Sequence, residues 1–259
     1  MKLSFNQTAK KYALVKKSWT PQQNLFYGFL TYIALGFILL CLPIFQKQSA
    51  SILDHLFIAT SAVSTTGLVT VSIFDTYNMF GQFIIMVLVQ LGGIGYLSFT
   101  TYMILSTTRK ITLWHKKILS TEFTLPNTIK ITDFLKSVVL FTLIMELIGA
   151  ILFFIAFKAQ GMPTFEAIWS SVFHSISSFC TAGFSLFNNS FMDYVDNNFV
   201  NFIISMLAIC GSLCFIVITD FGLKIKNKSH KVSFTTKIII YGFLMLLTFG
   251  TAFFYFEPS

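Results

Sequence analysis

Five stretches of this 259-residue chain are long, apolar and nearly free of charge: Leu25–Phe45, Tyr77–Thr107, Phe134–Phe157, Asn198–Thr219 and Thr236–Phe256. A helix needs about 20 mostly apolar residues to cross the hydrocarbon core of a bilayer, and each stretch meets that length. A water-soluble fold is closed to such a sequence. Soluble domains carry about a quarter charged residues because their surfaces face water. Here charged residues make up 11 % and hydrophobic ones 55 %. The predicted class is an all-α membrane protein, with lipid as part of its solvent.

The formal charge of +8 invites a nucleic-acid reading, since basic stripes attract phosphate. The basic residues instead lie in three clusters between apolar runs, which argues against a nucleic-acid partner. Lys2, Lys10, Lys11, Lys16 and Lys17 precede the first run; Arg109, Lys110, Lys116, Lys117, Lys130 and Lys136 lie near the second junction; Lys224, Lys226, Lys228, Lys231 and Lys237 follow the fourth. Only Lys47 and Lys158 fall on the opposite side. By the positive-inside rule the N-terminus is expected in the cytoplasm of a multi-pass plasma-membrane protein. The first apolar run follows a polar, lysine-rich stretch and is too long for a cleavable signal core, so it is expected to remain as an anchor.

Between the first and second runs, and again between the third and fourth, lie shorter and more polar segments, Ser51–Asp75 and Thr164–Asp193. Each opens with a brief helical pattern (Ile52, Leu53, Leu56, Phe57; then Phe165, Ile168, Trp169, Val172, Phe173) and breaks into a Ser/Thr/Gly run. Neither can cross a bilayer. Irregular backbone at membrane depth survives only when protein buries it or it lines a watery cavity, because bare N–H and C=O groups in lipid are costly. The pattern reads as span, re-entrant loop, span, made twice: M1–pore-loop–M2 units.

The letters repeat as well. Ser61-Ala-Val-Ser-Thr-Thr-Gly67-Leu68 aligns with Ser177-Ser-Phe-Cys-Thr-Ala-Gly183-Phe184, Phe83-Ile-Ile with Phe202-Ile-Ile, and Gly92 with Gly211. The expected organisation is a cytoplasmic N-terminus (1–19), a first unit (20–110), a cytoplasmic linker (111–133), a second unit (134–225), and a linker with the first helix of a third unit (226–259). No third loop precedes Ser259, so the sequence reads as the N-terminal half of a longer architecture.

A cation leaving water must have its hydration shell replaced by oxygen dipoles. A row of backbone carbonyls does this where residues are small and a glycine lets the chain turn without a Cβ. Val63, Ser64, Thr65, Thr66 and Gly67 supply one such row; Phe179, Cys180, Thr181, Ala182 and Gly183 supply another. Each follows a short helix whose negative dipole end would face the ion. One Ser/Thr-rich stretch ending in Gly also suits an ordinary turn; two in matched settings point to an ion-binding selectivity filter.

Ser177-Ser-Phe-Cys-Thr-Ala-Gly-Phe-Ser185 behind His174-Ser-Ile, together with Gln90-Leu-Gly-Gly-Ile-Gly-Tyr96, resembles the Trk/Ktr/HKT potassium transporters. The resemblance runs from about Thr20 to the end and is nearest the bacterial Ktr-type membrane subunit. It implies four M1–pore-loop–M2 units around one pore, a homodimer, and control by a cytoplasmic nucleotide-binding ring protein. It further implies potassium as the transported ion at the filter residues, with sodium the second candidate, and no cofactor. In that family the filter glycine favours potassium, and serine at the first such position accompanies sodium transport in some plant members. Gly67 and Gly183 match the potassium form. Where the first unit has Gly92-Gly-Ile-Gly-Tyr, the second has Gly211-Ser-Leu-Cys-Phe, so Cys214 replaces a glycine. As a small residue it is expected to do little damage.

The remaining polar residues get plainer readings. Cys41, Cys180, Cys210 and Cys214 are expected to be small buried packing residues; Cys210 and Cys214 would share a helical face but make a poor metal site. Glu146, an acid within a span, is read as buried and hydrogen-bonded to backbone behind a pore helix. His174 and His55 are read as hydrogen-bonded packing residues, and Glu166 and Asp75 as solvated charges near the mouth. No phosphate loop, HExxH or Ser/His/Asp grouping occurs, so an enzyme is not expected. Two other readings stand beside a potassium-conducting subunit: a truncated, non-conducting fragment, and a two-unit channel chain that dimerises to complete four filters.

Overall fold

A computed structural model describes residues 21–95, 98, 101, 130–226 and 231–256. Nine α-helices occur in this part: α1 (Pro21–Leu40), α2 (Ile52–Val63), α3 (Ile73–Thr76), α4 (Met79–Ile94), α5 (Ile131–Ala159), α6 (Thr164–Phe179), α7 (Asn198–Ser212), α8 (Phe215–Lys226) and α9 (Phe234–Phe256). Among the described residues there is no β-strand, only an isolated bridge between Gln46 and Tyr77. The protein is all-α, as its composition predicts.

Polar side chains close the helix ends. Ser51 and Asp54 form a reciprocal capping box at the start of α2. Asn78 and Asn197 are simple N-caps of α4 and α7, each side-chain oxygen accepting two backbone N–H groups at 3.0–3.1 Å. At the start of α9, the carboxylate of buried Asp220 accepts the Ser233 N–H at 2.7 Å.

The helices turn their small and polar faces inward. Along α5, Thr142, Glu146, Gly149 and Phe153 are buried, while Leu140, Leu143, Leu147, Ile151 and Ile155 are exposed at helical spacing. Lipid tails are as apolar as leucine, so burying leucine between helices gains little and small residues that permit close approach are favoured there. In α2 the Ile52, Leu53, Leu56 and Phe57 stripe is likewise the exposed face; His55, Ala59, Ser61 and Ala62 pack inward.

The span boundaries differ from the sequence reading. Ile131–Ala159 and Phe234–Phe253 are each long and apolar enough to cross a membrane. The first expected span stops at Leu40, because Pro43 opens a short 3-10 turn. The second is described as α4 only to Ile94; Gly95, at φ +81°, closes it, and most of the stretch to Thr107 lies outside the described residues. The fourth is not one straight helix: α7 and α8 meet at 87°. Cys214 sits in that break, so Cys210 and Cys214 do not share a helical face. Nor are all four cysteines buried: Cys180 is, whereas Cys41, Cys210 and Cys214 are half-buried.

Two glycines fix how the short helices seat. A Cβ on Gly92 would run into the Val63 carbonyl oxygen, and one on Gly211 into the Phe179 carbonyl oxygen. Each long helix thus lies directly against the last carbonyl of the short helix before it. Across the two halves, Trp169 donates its indole N–H to Gln82 at 2.6 Å, and Ser72 hydroxyl meets the Asn188 side chain at 2.5 Å.

Gly211→Ala should therefore lower the thermal unfolding midpoint of the detergent-solubilised chain, with an overpacking cost of about 1–3 kcal/mol. Gly222→Ala, where a Cβ meets nothing within 4 Å, should leave it unchanged or raise it. Equal midpoints for the two variants would contradict this packing.

Candidate functional site

The two Gly-ended loops close their helices with the same backbone bonds. In the first, α2 ends at Val63 and Thr65 turns left-handed at φ 49°. Thr66 N–H then reaches back to the Ser61 carbonyl at 3.0 Å, and Thr65 N–H to the Ala62 carbonyl at 3.2 Å. In the second, α6 ends at Phe179 and Thr181 turns at φ 52°. Ala182 N–H reaches Ser177 at 2.8 Å, and Thr181 N–H reaches Ser178 at 3.1 Å. This pair of bonds closes a helix on a left-handed residue, a role glycine usually fills. A β-branched residue there costs on the order of 1–3 kcal/mol.

Side chains tie down the neighbouring carbonyls. Ser61 hydroxyl donates to the Leu68 carbonyl at 2.8 Å, and Ser177 hydroxyl to the Phe184 carbonyl at 2.7 Å. Thr65 and Thr181 each donate to the carbonyl just before them, that of Ser64 and of Cys180, both at 2.8 Å. Among the described residues, the carbonyls of Thr65, Thr66 and Gly67, and of Thr181, Ala182 and Gly183, accept no hydrogen bond. They are the uncommitted oxygens of the two loops.

The loops meet at their glycines. Gly67 has φ +80° and Gly183 φ +70°. A Cβ on Gly67 would strike the Ala182 carbonyl oxygen and lie 3.0 Å from Gly183 Cα. Only glycine satisfies both the backbone angle and the approach. The structure thus brings Gly67 against Ala182 and Gly183. It keeps Val63 and Phe179 apart from them, as the last residues of their helices against Gly92 and Gly211. Ser64 and Cys180 are the residues immediately after the helices, in right-handed geometry, so neither segment is extended along its full length.

Behind the second loop, Cys180 packs on Gly93, and its thiol lies 3.7 Å from the Gln90 side-chain oxygen. Glu146 is buried there too. Its main-chain carbonyl accepts the Ser175 hydroxyl at 2.6 Å. Among the described residues its carboxylate makes no hydrogen bond to backbone, contrary to the sequence reading: the Gln90 side chain lies beside it, and Oε1 has no partner. Gln90 was missed as a partner because its neighbour lies on another helix, a pairing that spacing cannot reveal. His55 bonds Tyr77 hydroxyl at 2.8 Å and Gln46 at 3.0 Å, a hydrogen-bonded packing residue as expected. Glu166 lines a cavity of about 750 Å³ together with Lys47, Gln82, Trp169 and Asp193. Among the described residues, no three His, Cys, Asp or Glu side chains form a metal-ligand set.

Comparison with known proteins decides the family. Residues 7–257 match TrkH, the cation transport protein family. The chain belongs to that family. It is 36 % identical over 230 residues to Ktr system potassium uptake protein B of Bacillus subtilis, covering 88 % of this chain and 51 % of the relative. It is 33 % identical over 244 residues to the potassium/sodium uptake protein NtpJ of Enterococcus hirae, covering 90 % of this chain and 53 % of the relative. Ktr system potassium uptake protein B of Vibrio alginolyticus is 31 % identical over 229 residues, 88 % of this chain and 50 % of its own length. The chain spans about half the length of the curated relatives it matches. The family is one of cation transport proteins, not of enzymes.

The serine ties are unequal in burial: Phe184 is 1 % exposed and Leu68 61 %. Ser177→Ala leaves a buried carbonyl unpaired and should cost about 1–3 kcal/mol of stability. Ser61→Ala exposes its carbonyl to solvent and should cost less. Unfolding midpoints of the two variants in one detergent check the order; a larger loss for Ser61→Ala would overturn it.

Proposed function

We propose that this chain supplies ion-lining segments to a potassium-uptake pore in the plasma membrane, as part of the pore-forming subunit of a Trk/Ktr-type transporter. The meeting of two matched loops at Gly67 and Gly183, each with three uncommitted carbonyls, carries the reading. A dehydrated potassium ion binds through oxygen dipoles fixed around it, and backbone carbonyls are the group that replaces its water. Two short helices ending at the loops add favourable dipole ends. The names of the Bacillus and Vibrio relatives support potassium as the ion; the name of the Enterococcus relative keeps sodium as the second candidate.

Two loops offer oxygen from one side only. Further loops, from additional units or a second copy of this chain, would complete the ring, so a homodimer belongs to the proposal. So does a separate cytoplasmic nucleotide-binding ring subunit, which the family resemblance implies. The lysine distribution supports a cytoplasmic N-terminus, with both loops opening to the outside.

Labelling with an impermeant thiol reagent tests that orientation in a cysteine-free background. Asn189→Cys should react from outside intact cells and Lys226→Cys only after permeabilisation; the reverse pattern would refute it.

The filter itself is tested by grafting this chain in place of the matching half of the Bacillus subtilis relative and expressing the graft in cells that lack potassium uptake. The graft should support growth on limiting potassium. Gly67→Ser within it should lower expression, and among the protein that inserts should raise the sodium-to-potassium uptake ratio several-fold, because the added side chain displaces the facing Ala182 carbonyl. Lost protein with an unchanged ratio would make Gly67 a turn residue only. Growth on this chain alone would favour the two-unit channel.

A further inference from the structure

The second loop has an anchor that the first lacks. His174, in α6, is fully buried. Its Nδ1 lies 2.8 Å from the Ser170 carbonyl, which can only accept, so that nitrogen carries the proton. Its Nε2 is then an acceptor, and Leu186 N–H donates to it at 3.1 Å. Ser185 hydroxyl lies 3.0 Å from the same nitrogen and accepts Phe187 N–H at 3.0 Å, which leaves the hydroxyl proton for His174. The Phe187 ring stacks on the imidazole at 4.6 Å. One ring nitrogen therefore gathers the chain two and three residues beyond Gly183.

In the register that pairs Gly67 with Gly183, Ile58 stands where His174 does, and Val69, Thr70 and Val71 stand for Ser185, Leu186 and Phe187. Isoleucine can accept no hydrogen bond. The first loop beyond Leu68 is exposed at Val69 and Thr70, whereas Leu186 is buried.

We propose that His174 is a positioning residue that clamps the outer end of the second loop through Ser185 and Leu186, and so sets that loop's preference for potassium over sodium. This rests on the reading of the loops as ion-coordinating. A clamped loop holds its carbonyls at a fixed separation; a released one can close around the smaller sodium ion.

The test uses the graft in which this chain replaces the matching half of the Bacillus subtilis relative, so that the ring of loops is complete. It is studied in lipid nanodiscs as wild type, His174→Leu, His174→Gln and Ser185→Ala. Amide hydrogen exchange at 184–187 reads the clamp. The concentrations of potassium and of sodium that half-protect 179–183 read the preference. His174→Leu should speed exchange at Leu186 and Phe187 by about tenfold or more, as local opening becomes easier. It should narrow the potassium-to-sodium ratio by about threefold or more. The side-chain oxygen of His174→Gln can accept in place of Nε2 and should restore most of both. Ser185→Ala keeps the ring and should fall between, which keeps the proposal open to refutation if His174→Leu does not fold.

Wild-type exchange rates at Leu186 and Phe187 in both His174→Leu and Ser185→Ala would overturn the clamp. Faster exchange with an unchanged ion ratio would leave His174 as packing and overturn its role in preference. Absence of any ion response in the wild type would count against the ion-coordinating reading and against the preference claim, while the exchange arm would still decide the clamp.

Discussion

The structure depends on covering backbone that cannot form regular helix inside a membrane. Each unsatisfied N–H or C=O in lipid costs several kcal/mol, so two non-helical loops set among apolar, lipid-suited helices demand close cover. Gly92 and Gly211 provide it by letting a long helix lie against the Val63 and Phe179 carbonyls. A side chain at either glycine would push the helix off the loop. Gly149 does the same for the back of α6, where a Cβ would meet the Ser175 hydroxyl. Close approach by glycine, rather than burial of large apolar side chains, is what seats the loops.

The two halves share this device but not its surroundings. Ser64 is exposed and bonds within its own turn, to Thr60 at 2.8 Å; its counterpart Cys180 is buried against Gly93 of the other half. His174 has no counterpart, and neither does the aromatic cluster of Phe153, Phe157, Phe187 and Phe191 around it. The second loop is thus packed against protein at Cys180, Ala182 and Phe184, with Thr181 and Gly183 left exposed, whereas Ser64, Thr66 and Leu68 at the matching packed positions of the first loop are exposed among the described residues. Unequal packing gives the loops unequal freedom, so substitutions at matched positions act with different force.

Much of this was legible in the sequence, for reasons that differ by feature. The apolar runs announce the membrane because nothing else makes 20-residue stretches without charge. The matched Ser/Thr/Gly letters mark the loops, since Ser61 and Ser177, like Gly67 and Gly183, answer the same geometric need in each. The bend between α7 and α8 was not legible: Gly211-Ser-Leu-Cys is as apolar as an unbroken span, and periodicity cannot register a change of direction. The inward face of α2 was also hidden. A stripe of Ile and Leu ordinarily marks the buried side of a helix, but in lipid that rule reverses, and the packed side is written in Ala, Ser and His. The Glu146–Gln90 contact joins helices far apart in the chain, which only tertiary structure brings together.

Threonine at the left-handed turn of both loops is the least expected choice, because glycine would adopt it without steric cost. What threonine adds is its hydroxyl. By donating to the carbonyl just before it, Thr65 removes the Ser64 oxygen from the available set, and Thr181 removes that of Cys180. A serine in the last turn of each short helix, Ser61 or Ser177, does the same at the far end of the loop, on the Leu68 and Phe184 carbonyls. The uncommitted run is therefore bounded at both ends by hydroxyl donors, at residues 65–67 and 181–183. Glycine at the turn would relieve the strain but leave one more carbonyl free and the chain able to swing. The steric cost of the left-handed threonine is offset by a loop whose free oxygens are few, adjacent and held in place.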